Sequence, residues 1–142
     1  MVAPIGPAEL NETQVARNPP ETLPAPIVLV VDDSPDIRKF LEIALRSFDF
    51  EVRSAANGNE ALEIYRRGGI DLVLMDVQMP ILDGPTTLAR LKEIDPKIVC
   101  CFMSADLGRY DLCDLMGLGA IGFLQKPFDL DELRQMVMDA VG

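Results

Sequence analysis

Leu72-Val73-Leu74-Met75-Asp76 is the stretch of sequence that decides the fold of this chain. Four apolar residues precede one carboxylate, and a turn signal ending at Pro80 follows them. A short apolar run bounded by a turn signal is typical of a strand that is buried on both faces. Because the run ends on an acid, the pattern predicts that Asp76 lies at the end of a buried strand, on the rim of a sheet.

The same pattern of an apolar run ending on polar residues recurs along the chain. Ile27–Val31 ends on Asp32-Asp33, 97–103 ends on Ser104, and Ile121–Leu124 runs into Gln125-Lys126-Pro127. A shorter strand is predicted around Glu51–Ala55. Near-continuous apolar strands indicate that both faces of the sheet are covered.

Amphipathic segments with helix-start signals lie between the strands. Ser34-Pro35 opens the first, as an N-cap followed by proline at the first helical position. Its spacing predicts a single apolar face that holds Ile37, Phe40, Leu41, Ala44, Leu45 and Phe48. A later helix is predicted from about Asp106 to Met116. Five strands and five helices in strict alternation predict an α/β fold, a doubly wound parallel sheet with right-handed crossovers.

The residues that can do chemistry all fall at or just past predicted carboxyl ends of strands. They are Asp32, Asp33, Asp76, Ser104 and Lys126. In sheets of this type, sites form at that edge. Lys126-Pro127 is predicted to be a cis peptide that aims Lys126 inward, with an ordinary trans proline at a strand end as the alternative.

Three acids in one cleft predict a cation site, because like charges held together cost free energy until a cation neutralises them. Carboxylate oxygens suit a hard ion, here Mg²⁺ with Mn²⁺ as an alternative. Asp33 and Asp76 are predicted as direct ligands, and Asp32 as a ligand that acts directly or through water. The backbone carbonyl of Gln78, just past Asp76, would complete the set.

Asp76 is also the candidate nucleophile, since a carboxylate can attack phosphorus to form an acyl phosphate. The charge in that transition state spreads over three oxygens. Mg²⁺ would cover one oxygen, the Lys126 ammonium a second, and the Ser104 hydroxyl a third. None of these roles needs a general base, which suits a chain without histidine.

Composition excludes several other classes. The net charge of −10 argues against direct binding of nucleic acid or an anionic membrane. Without histidine the chain has no Ser/His or Cys/His catalysis and no His-ligated zinc. No apolar run is long enough for membrane insertion. Three cysteines without a spaced framework favour a reducing, cytoplasmic setting.

Residues 1–26 differ from the rest, because six of the eleven prolines fall there and no apolar periodicity is present. They are predicted to be a disordered extension, a tether to a partner, or a segment that packs in a larger assembly. Residues 27–142 are predicted to form one domain.

The motifs of residues 27–142 together resemble the receiver domain of two-component response regulators. They are Asp32-Asp33, Asp76, Met79-Pro80, Asp83-Gly84, Ser104-Ala105, Gly119-Ala120, Gly122-Phe123-Leu124 and Lys126-Pro127-Phe128. The resemblance implies a flavodoxin-like fold with strand order 2-1-3-4-5. It further implies Mg²⁺-dependent phosphoryl transfer to Asp76 from a histidine kinase or histidine phosphotransfer protein, followed by slow self-catalysed hydrolysis.

The resemblance also implies a switch. Ser104 and Phe123 match the family's switch pair, in which the hydroxyl moves toward the phosphate and the aromatic ring follows it inward. The altered surface of helix four, strand five and helix five would then bind a downstream protein. A monomer or a phosphorylation-dependent dimer is expected. Phe123 stands where tyrosine is frequent, and Ser104 where threonine is frequent.

Other functions fit the sequence less well. A haloacid-dehalogenase-type phosphatase needs an acid two residues after its nucleophile, where Ser34 and Pro35 stand here. A flavodoxin-like cofactor binder needs a glycine- or hydroxyl-rich phosphate loop after strand one. An unphosphorylated receiver-like interaction module would not need the intact acid set. A stand-alone regulator and a receiver fragment of a hybrid histidine kinase both remain open.

Overall fold

The structure, a computed structural model, describes residues 24–142. The strands are β1 Ile27–Val31, β2 Glu51–Ala55, β3 Leu72–Asp76, β4 Cys100–Ser104 and β5 Gly122–Gln125. The helices are α1 Pro35–Ser47, α2 Gly58–Arg66, α3 Gly84–Ile94, α4 Leu112–Gly117 and α5 Leu130–Val141. All but the last three residues of the predicted N-terminal extension lie outside this range.

The five strands form one sheet in the order β2-β1-β3-β4-β5, and all neighbouring pairs are parallel. The prediction of a flavodoxin-like sheet is therefore confirmed. Val31 pairs with Met75, so Asp32 and Asp76 follow at the same level of the sheet. Ser104 pairs with Gln125 on the other side of β3. The register thus brings the predicted site residues to one edge.

Two apolar clusters cover the two faces of the sheet. All five residues of β3 are buried. Val73 and Met75 belong to the cluster beneath α2 and α3, while Leu72 and Leu74 belong to the one beneath α1 and α5. This alternation explains why β3 reads as a continuous apolar run, since each face of the strand meets its own layer of helices.

Side-chain caps start α1 and α5, and α1 starts at the predicted Ser34-Pro35 signal. The Ser34 hydroxyl accepts a hydrogen bond from the Ile37 amide at the start of α1. Asp129 and Glu132 form a reciprocal capping box at the start of α5. Across residues 24–142 no helix has both the length and the apolarity that a membrane crossing needs.

Phe40 belongs to the apolar face predicted for α1, but it is not fully buried. Phe40 is 43% exposed. Its ring lies 6.4 Å from that of Phe128, between their centroids. Helical spacing indicates a face but not its width, and this ring lies at the margin of the buried stripe.

Two element boundaries differ from the prediction. α4 begins at Leu112 rather than near Asp106, because Gly108 takes a left-handed φ of +64° and Asp111 caps the helix with Asp114. β4 begins at Cys100 rather than Lys97. There, Asp95 accepts hydrogen bonds from the amides of Lys97 and Ile98, which forms a turn before the strand.

Candidate functional site

Three carboxylates meet at the carboxyl edge of the sheet, at the ends of β1 and β3. Asp32 is 1% exposed and Asp76 is 7% exposed, whereas Asp33 is open to solvent. One carboxylate oxygen from each of the three residues lies within 4.8 Å of the other two. The strand register accounts for this convergence, because β1 and β3 are hydrogen-bonded neighbours that end at the same level.

Lys126 reaches the same cluster from the end of β5. Its Nζ atom donates to Asp32 Oδ2 at 2.7 Å and to Asp76 Oδ2 at 3.4 Å. The Lys126 amide donates to the Ser104 carbonyl at 2.9 Å, which ties this segment to β4. The peptide bond between Lys126 and Pro127 is cis, as predicted.

The charges at the edge shift two pKa values. Burial raises the pKa of Asp76 above its ordinary value; the Lys126 ammonium opposes this shift, and the Asp32 carboxylate adds to it. Burial alone would lower the pKa of Lys126. The hydrogen bond to Asp32 and the charges of both acids outweigh that effect, so the Lys126 pKa lies above its ordinary value. Lys126 therefore stays an ammonium at neutral pH.

The hydrogen bonds of the three acids are unequal. Asp32 accepts from the Ser34 amide at 2.9 Å through Oδ1 and from Lys126 through Oδ2. Asp76 accepts only two long hydrogen bonds, from the Gln78 amide at 3.3 Å and from Lys126 at 3.4 Å. Within residues 24–142, no donor contacts the Asp33 carboxylate. Asp33 and Asp76 thus keep the most lone-pair capacity for a further cation.

This set of donors fits Mg²⁺. Three carboxylates and one ammonium leave two negative charges uncompensated at the edge. Asp33 and Asp76 would hold the ion directly, while Asp32 already holds Lys126 and would act through water. The Gln78 amide donates to Asp76 Oδ1 at 3.3 Å, and the Gln78 backbone carbonyl stays a predicted ligand.

Ser104 lies at the same edge, but its hydroxyl is turned to its own loop. The hydroxyl donates to the Asp106 carbonyl at 2.6 Å and accepts from the Asp106 amide at 3.0 Å. The sequence placed this hydroxyl with Asp76 in a single site. In the structure, Ser104 is 2% exposed and its proton is held by Asp106.

Phe123 and Ser104 line the same cavity, of about 170 Å³, between β5 and the segment that follows β4. Phe123 is half-buried and contacts the cluster beneath α2 and α3. The remaining residues around the cavity are Ala105, Asp106, Leu107, Leu112 and Gln125. The ring therefore stands beside an open space next to the Ser104 hydroxyl.

Two side chains near the edge had no role in the sequence prediction. Arg38 Nη1 donates to the Asp32 carbonyl at 2.6 Å. The Tyr110 hydroxyl donates to Asp83 Oδ2 at 2.8 Å. The position of Arg38 one turn into α1 could have indicated the first contact. No local pattern indicates the second, because Asp83 and Tyr110 are 27 residues apart.

Comparison with known proteins places the chain in a family. The family model described as the response regulator receiver domain matches residues 28–138. Sporulation initiation phosphotransferase F of Bacillus subtilis is 39% identical over 111 residues, which cover 78% of this chain and 89% of that protein. Autoinducer 1 sensor kinase/phosphatase LuxN of Vibrio campbellii is 34% identical over 127 residues.

The match to LuxN covers 89% of this chain but spans only 15% of LuxN's length. Among solved structures, CheY in the CheX-CheY-BeF3-Mg²⁺ complex from Borrelia burgdorferi superposes with a TM-score of 0.76 and 34% sequence identity. That superposition covers 80% of this chain and 87% of the other. The fold, the edge of acids and lysine, and these matches agree: the chain belongs to the receiver-domain family of two-component response regulators.

Proposed function

We propose that Asp76 is a phosphoacceptor that takes a phosphoryl group from a phosphohistidine in a Mg²⁺-dependent reaction. One observation carries this proposal. The buried Asp76 carboxylate has a charge-bearing neighbour on each side, with acids within 4.8 Å and the Lys126 ammonium at 3.4 Å. Both of its own hydrogen bonds are long, so its oxygens are the least committed of the buried carboxylates at this edge.

In the proposed transfer, an Asp76 oxygen forms a bond to phosphorus while the phosphorus–nitrogen bond to the donor imidazole breaks. The imidazole nitrogen leaves with the electron pair. This chain has no histidine, so the imidazole belongs to a partner, either a histidine kinase or a histidine phosphotransfer protein. Hydrolysis by water then returns the Asp76 carboxylate and releases inorganic phosphate.

Lys126 provides positive charge for the transferred group without moving far. It already contacts Asp76 and Asp32, and its raised pKa keeps it protonated at neutral pH. A fixed ammonium beside developing negative charge stabilises a phosphoryl-transfer transition state. When bound, Mg²⁺ would supply further neutralisation of the phosphoryl oxygens. A CheX-CheY-BeF3-Mg²⁺ complex is known for the similar CheY from Borrelia burgdorferi.

The proposed switch uses the cavity beside Ser104. The Ser104 hydroxyl would leave the Asp106 carbonyl and donate to the phosphoryl group, and Phe123 would move into the space of about 170 Å³. The face made by α4, β5 and α5 would then bind a downstream protein or a second copy of the chain. Exposed apolar side chains support this surface: Leu112 at 46%, Met116 at 43% and Ile121 at 56%.

The phosphodonor would dock on the other side of Lys126, where apolar side chains surround a cavity of about 340 Å³. Its walls include Ile37, Phe40 and Phe128. Phe40 is 43% exposed and its ring lies 6.4 Å from that of Phe128. A contiguous exposed apolar patch of this kind is typical of a protein interaction site. Residues on this surface lie close to Asp76, as a histidine-bearing partner would require.

The acidic charge of −10 supports protein partners rather than direct contact with nucleic acid. A cytoplasmic setting is proposed with this function, in keeping with the free thiols of Cys100, Cys101 and Cys113. A receiver segment of a longer sensor kinase is a second candidate, favoured by the match to LuxN. The phosphohistidine would then lie on the same polypeptide.

The proposal is tested by incubating the protein with acetyl phosphate and Mg²⁺ and measuring base-labile phosphate. We expect labelling that chelation of Mg²⁺ prevents and that Asp76→Asn abolishes. Asp71→Asn is the matched control, because Asp71 is exposed and directly precedes β3, at the end of the strand opposite to Asp76. Labelling of Asp76→Asn at the wild-type level would refute the assignment of the nucleophile.

The role of Lys126 needs a separate variant. We expect Lys126→Ala to bind Mg²⁺ and to show a greatly reduced change at α4 after phosphorylation, because the ammonium that draws the phosphoryl group is gone. Backbone amide NMR spectra report both quantities. A full wild-type change at α4 in the phosphorylated variant would show that Lys126 has another role.

A further inference from the structure

A second set of contacts crosses the carboxyl edge, away from the three acids. The Tyr110 hydroxyl donates to Asp83 Oδ2 at 2.8 Å. The other oxygen of Asp83 accepts from the Thr86 amide at 2.9 Å and so caps α3. One carboxylate oxygen of Asp83 therefore caps α3, and the other accepts a hydrogen bond from Tyr110, the residue that precedes the α4 N-cap Asp111.

Residues 105–111 are here named the β4–α4 loop. Hydrogen bonds hold this loop from Ser104, the last residue of β4, to Tyr110. Ser104 holds Asp106, the Asp106 carboxylate accepts from the Gly108 amide at 2.9 Å, and the Leu107 carbonyl accepts from the Tyr110 amide at 3.2 Å. The Asp106–Gly108 and Leu107–Tyr110 bonds overlap along the chain. We therefore expect a restraint on Tyr110 to limit the movement of Asp106, which holds the Ser104 hydroxyl.

We propose that Tyr110 is a positioning residue for the switch, because its hydroxyl ties the β4–α4 loop to Asp83 and opposes release of the Ser104 hydroxyl from Asp106. The proposal rests on the proposed function, in which Ser104 must turn toward a phosphoryl group at Asp76. The tie stabilises the arrangement seen here, with Ser104 held by its own loop. Phosphoryl binding has to overcome it.

The contact between the β4–α4 loop and Asp83 depends on the Tyr110 hydroxyl, which donates to Asp83 and also accepts from Arg109 Nη2 at 2.9 Å. Tyr110 is half-buried, packs against the cluster beneath α2 and α3, and donates to an ionised carboxylate, which makes the hydrogen bond stronger than a neutral one. Arg109 Nη2 lies 3.8 Å from Asp83 Oδ2 with a side chain that is 77% exposed. An exposed ion pair at that distance contributes little.

The fold offers a matched control for removing the hydroxyl. The chain has two tyrosines, and Tyr65 donates to Asp95 Oδ2 at 2.7 Å. Both hydroxyls therefore bond to an aspartate at nearly the same distance, and Tyr65 lies on α2, outside the β4–α4 loop. Tyr65→Phe and Tyr110→Phe each lose one bond to an aspartate, and Tyr110→Phe also loses the bond from Arg109. Only Tyr110→Phe is expected to loosen the loop.

The experiment titrates wild-type, Tyr110→Phe and Tyr65→Phe proteins with beryllium fluoride in saturating Mg²⁺ and follows backbone amide NMR signals. A stabilising bond that is present only before switching lowers the apparent affinity by its own equilibrium factor. We expect Tyr110→Phe to bind beryllium fluoride at least about tenfold more tightly than wild type, the factor for one net hydrogen bond to a charged group. Tyr65→Phe should bind as wild type does.

Amide hydrogen exchange without phosphate provides a second readout. Faster exchange at Gly108 in Tyr110→Phe, with wild-type exchange there in Tyr65→Phe, would support the tie itself. Equal affinity for beryllium fluoride in wild type and Tyr110→Phe would overturn the inference while leaving the proposed function intact. A wild-type protein that shows no response to beryllium fluoride would overturn the proposed function and, with it, the role of Tyr110.

Discussion

In the body of the sheet, Leu72 to Met75 are fully buried and belong to apolar clusters on both faces. One residue further along the same strand, Asp76 is buried beside Asp32 and Lys126. Asp76 and Leu72 to Met75 are all buried, but only the apolar side chains gain free energy from burial. At the edge, like charges lie close together, with one ammonium to offset three carboxylates.

Within β3, the apolar residues Leu72 to Met75 stabilise the fold, whereas the charged Asp76 destabilises it. Apolar burial in the sheet contributes to folding, whereas the clustered acids at its edge oppose folding until a cation neutralises them. The raised pKa of Asp76 expresses that opposition, because the folded protein disfavours its charged form. Substitutions in the two regions should therefore change the free energy of unfolding in opposite directions.

The largest effect is expected in the body of the sheet. Leu74→Ala should lower the free energy of unfolding by about 3 kcal/mol, because Leu74 is 0% exposed and its removal leaves a cavity. Ile43→Ala, at a side chain that is 60% exposed on α1, should change it by less than about 0.5 kcal/mol. Urea unfolding measures both. Equal losses would contradict the assigned core.

A smaller loss is expected where α3 packs on β3. A Cβ atom at Gly84 would overlap the Asp76 carbonyl and lie 3.0 Å from the Phe102 ring. Gly84→Ala should therefore cost about 2 kcal/mol and shift the amide signal of Asp76. Gly117→Ala is the control, since a Cβ there has nothing within 4 Å. Similar stability of the two variants would show that α3 yields to the added methyl group.

At the edge the sign should reverse. Asp76→Asn should raise the free energy of unfolding by about 1 kcal/mol in the absence of Mg²⁺, because one of the clustered charges is removed. Saturating Mg²⁺ should reduce this gain, since it stabilises the wild-type protein more. Asp36→Asn, at an exposed acid in the first turn of α1, should lose a few tenths of a kcal/mol instead. A wild type more stable than Asp76→Asn without Mg²⁺ would contradict the comparison.

The smallest effect is in the pH dependence. Since the pKa of Asp76 is raised from 3.8, the folded state binds this proton more tightly than the unfolded state. The resulting stabilisation is complete below 3.8 and is lost as pH rises through the raised pKa. The stability of wild type relative to Asp76→Asn should therefore fall as pH rises across that window. A rising difference would mean that Lys126 outweighs burial and Asp32.

The sequence predicted correctly that the residues at the ends of β1, β3 and β5 lie close together. Asp32, Asp76 and Lys126 follow apolar runs, and a parallel sheet brings such ends together whatever their separation along the chain. The strand order was supplied by resemblance to receiver domains rather than by the pattern of residues. The cis peptide before Pro127 was also predicted, because X–Pro bonds are where cis peptides occur.

The loop after β4 was not predictable in the same way. Whether the Ser104 hydroxyl turns to Asp76 or to Asp106 depends on the path of residues 105–111. That path depends on the left-handed Gly108 and on the contact of Tyr110 with Asp83. The apolar residues keep a helical spacing through this segment, and that spacing predicted a helix from about Asp106. In the structure the left-handed Gly108 and the contact of Tyr110 with Asp83 accompany turns there instead.

The most direct test of a phosphoacceptor at the buried edge is to locate the acyl phosphate itself. Protein treated with acetyl phosphate and Mg²⁺ is reduced with borohydride, which converts an aspartyl phosphate to homoserine, and peptides are then mapped by mass spectrometry. The account predicts homoserine at position 76 and unmodified aspartate at positions 32 and 33. Homoserine at position 33 or 32, with position 76 unmodified, would contradict it.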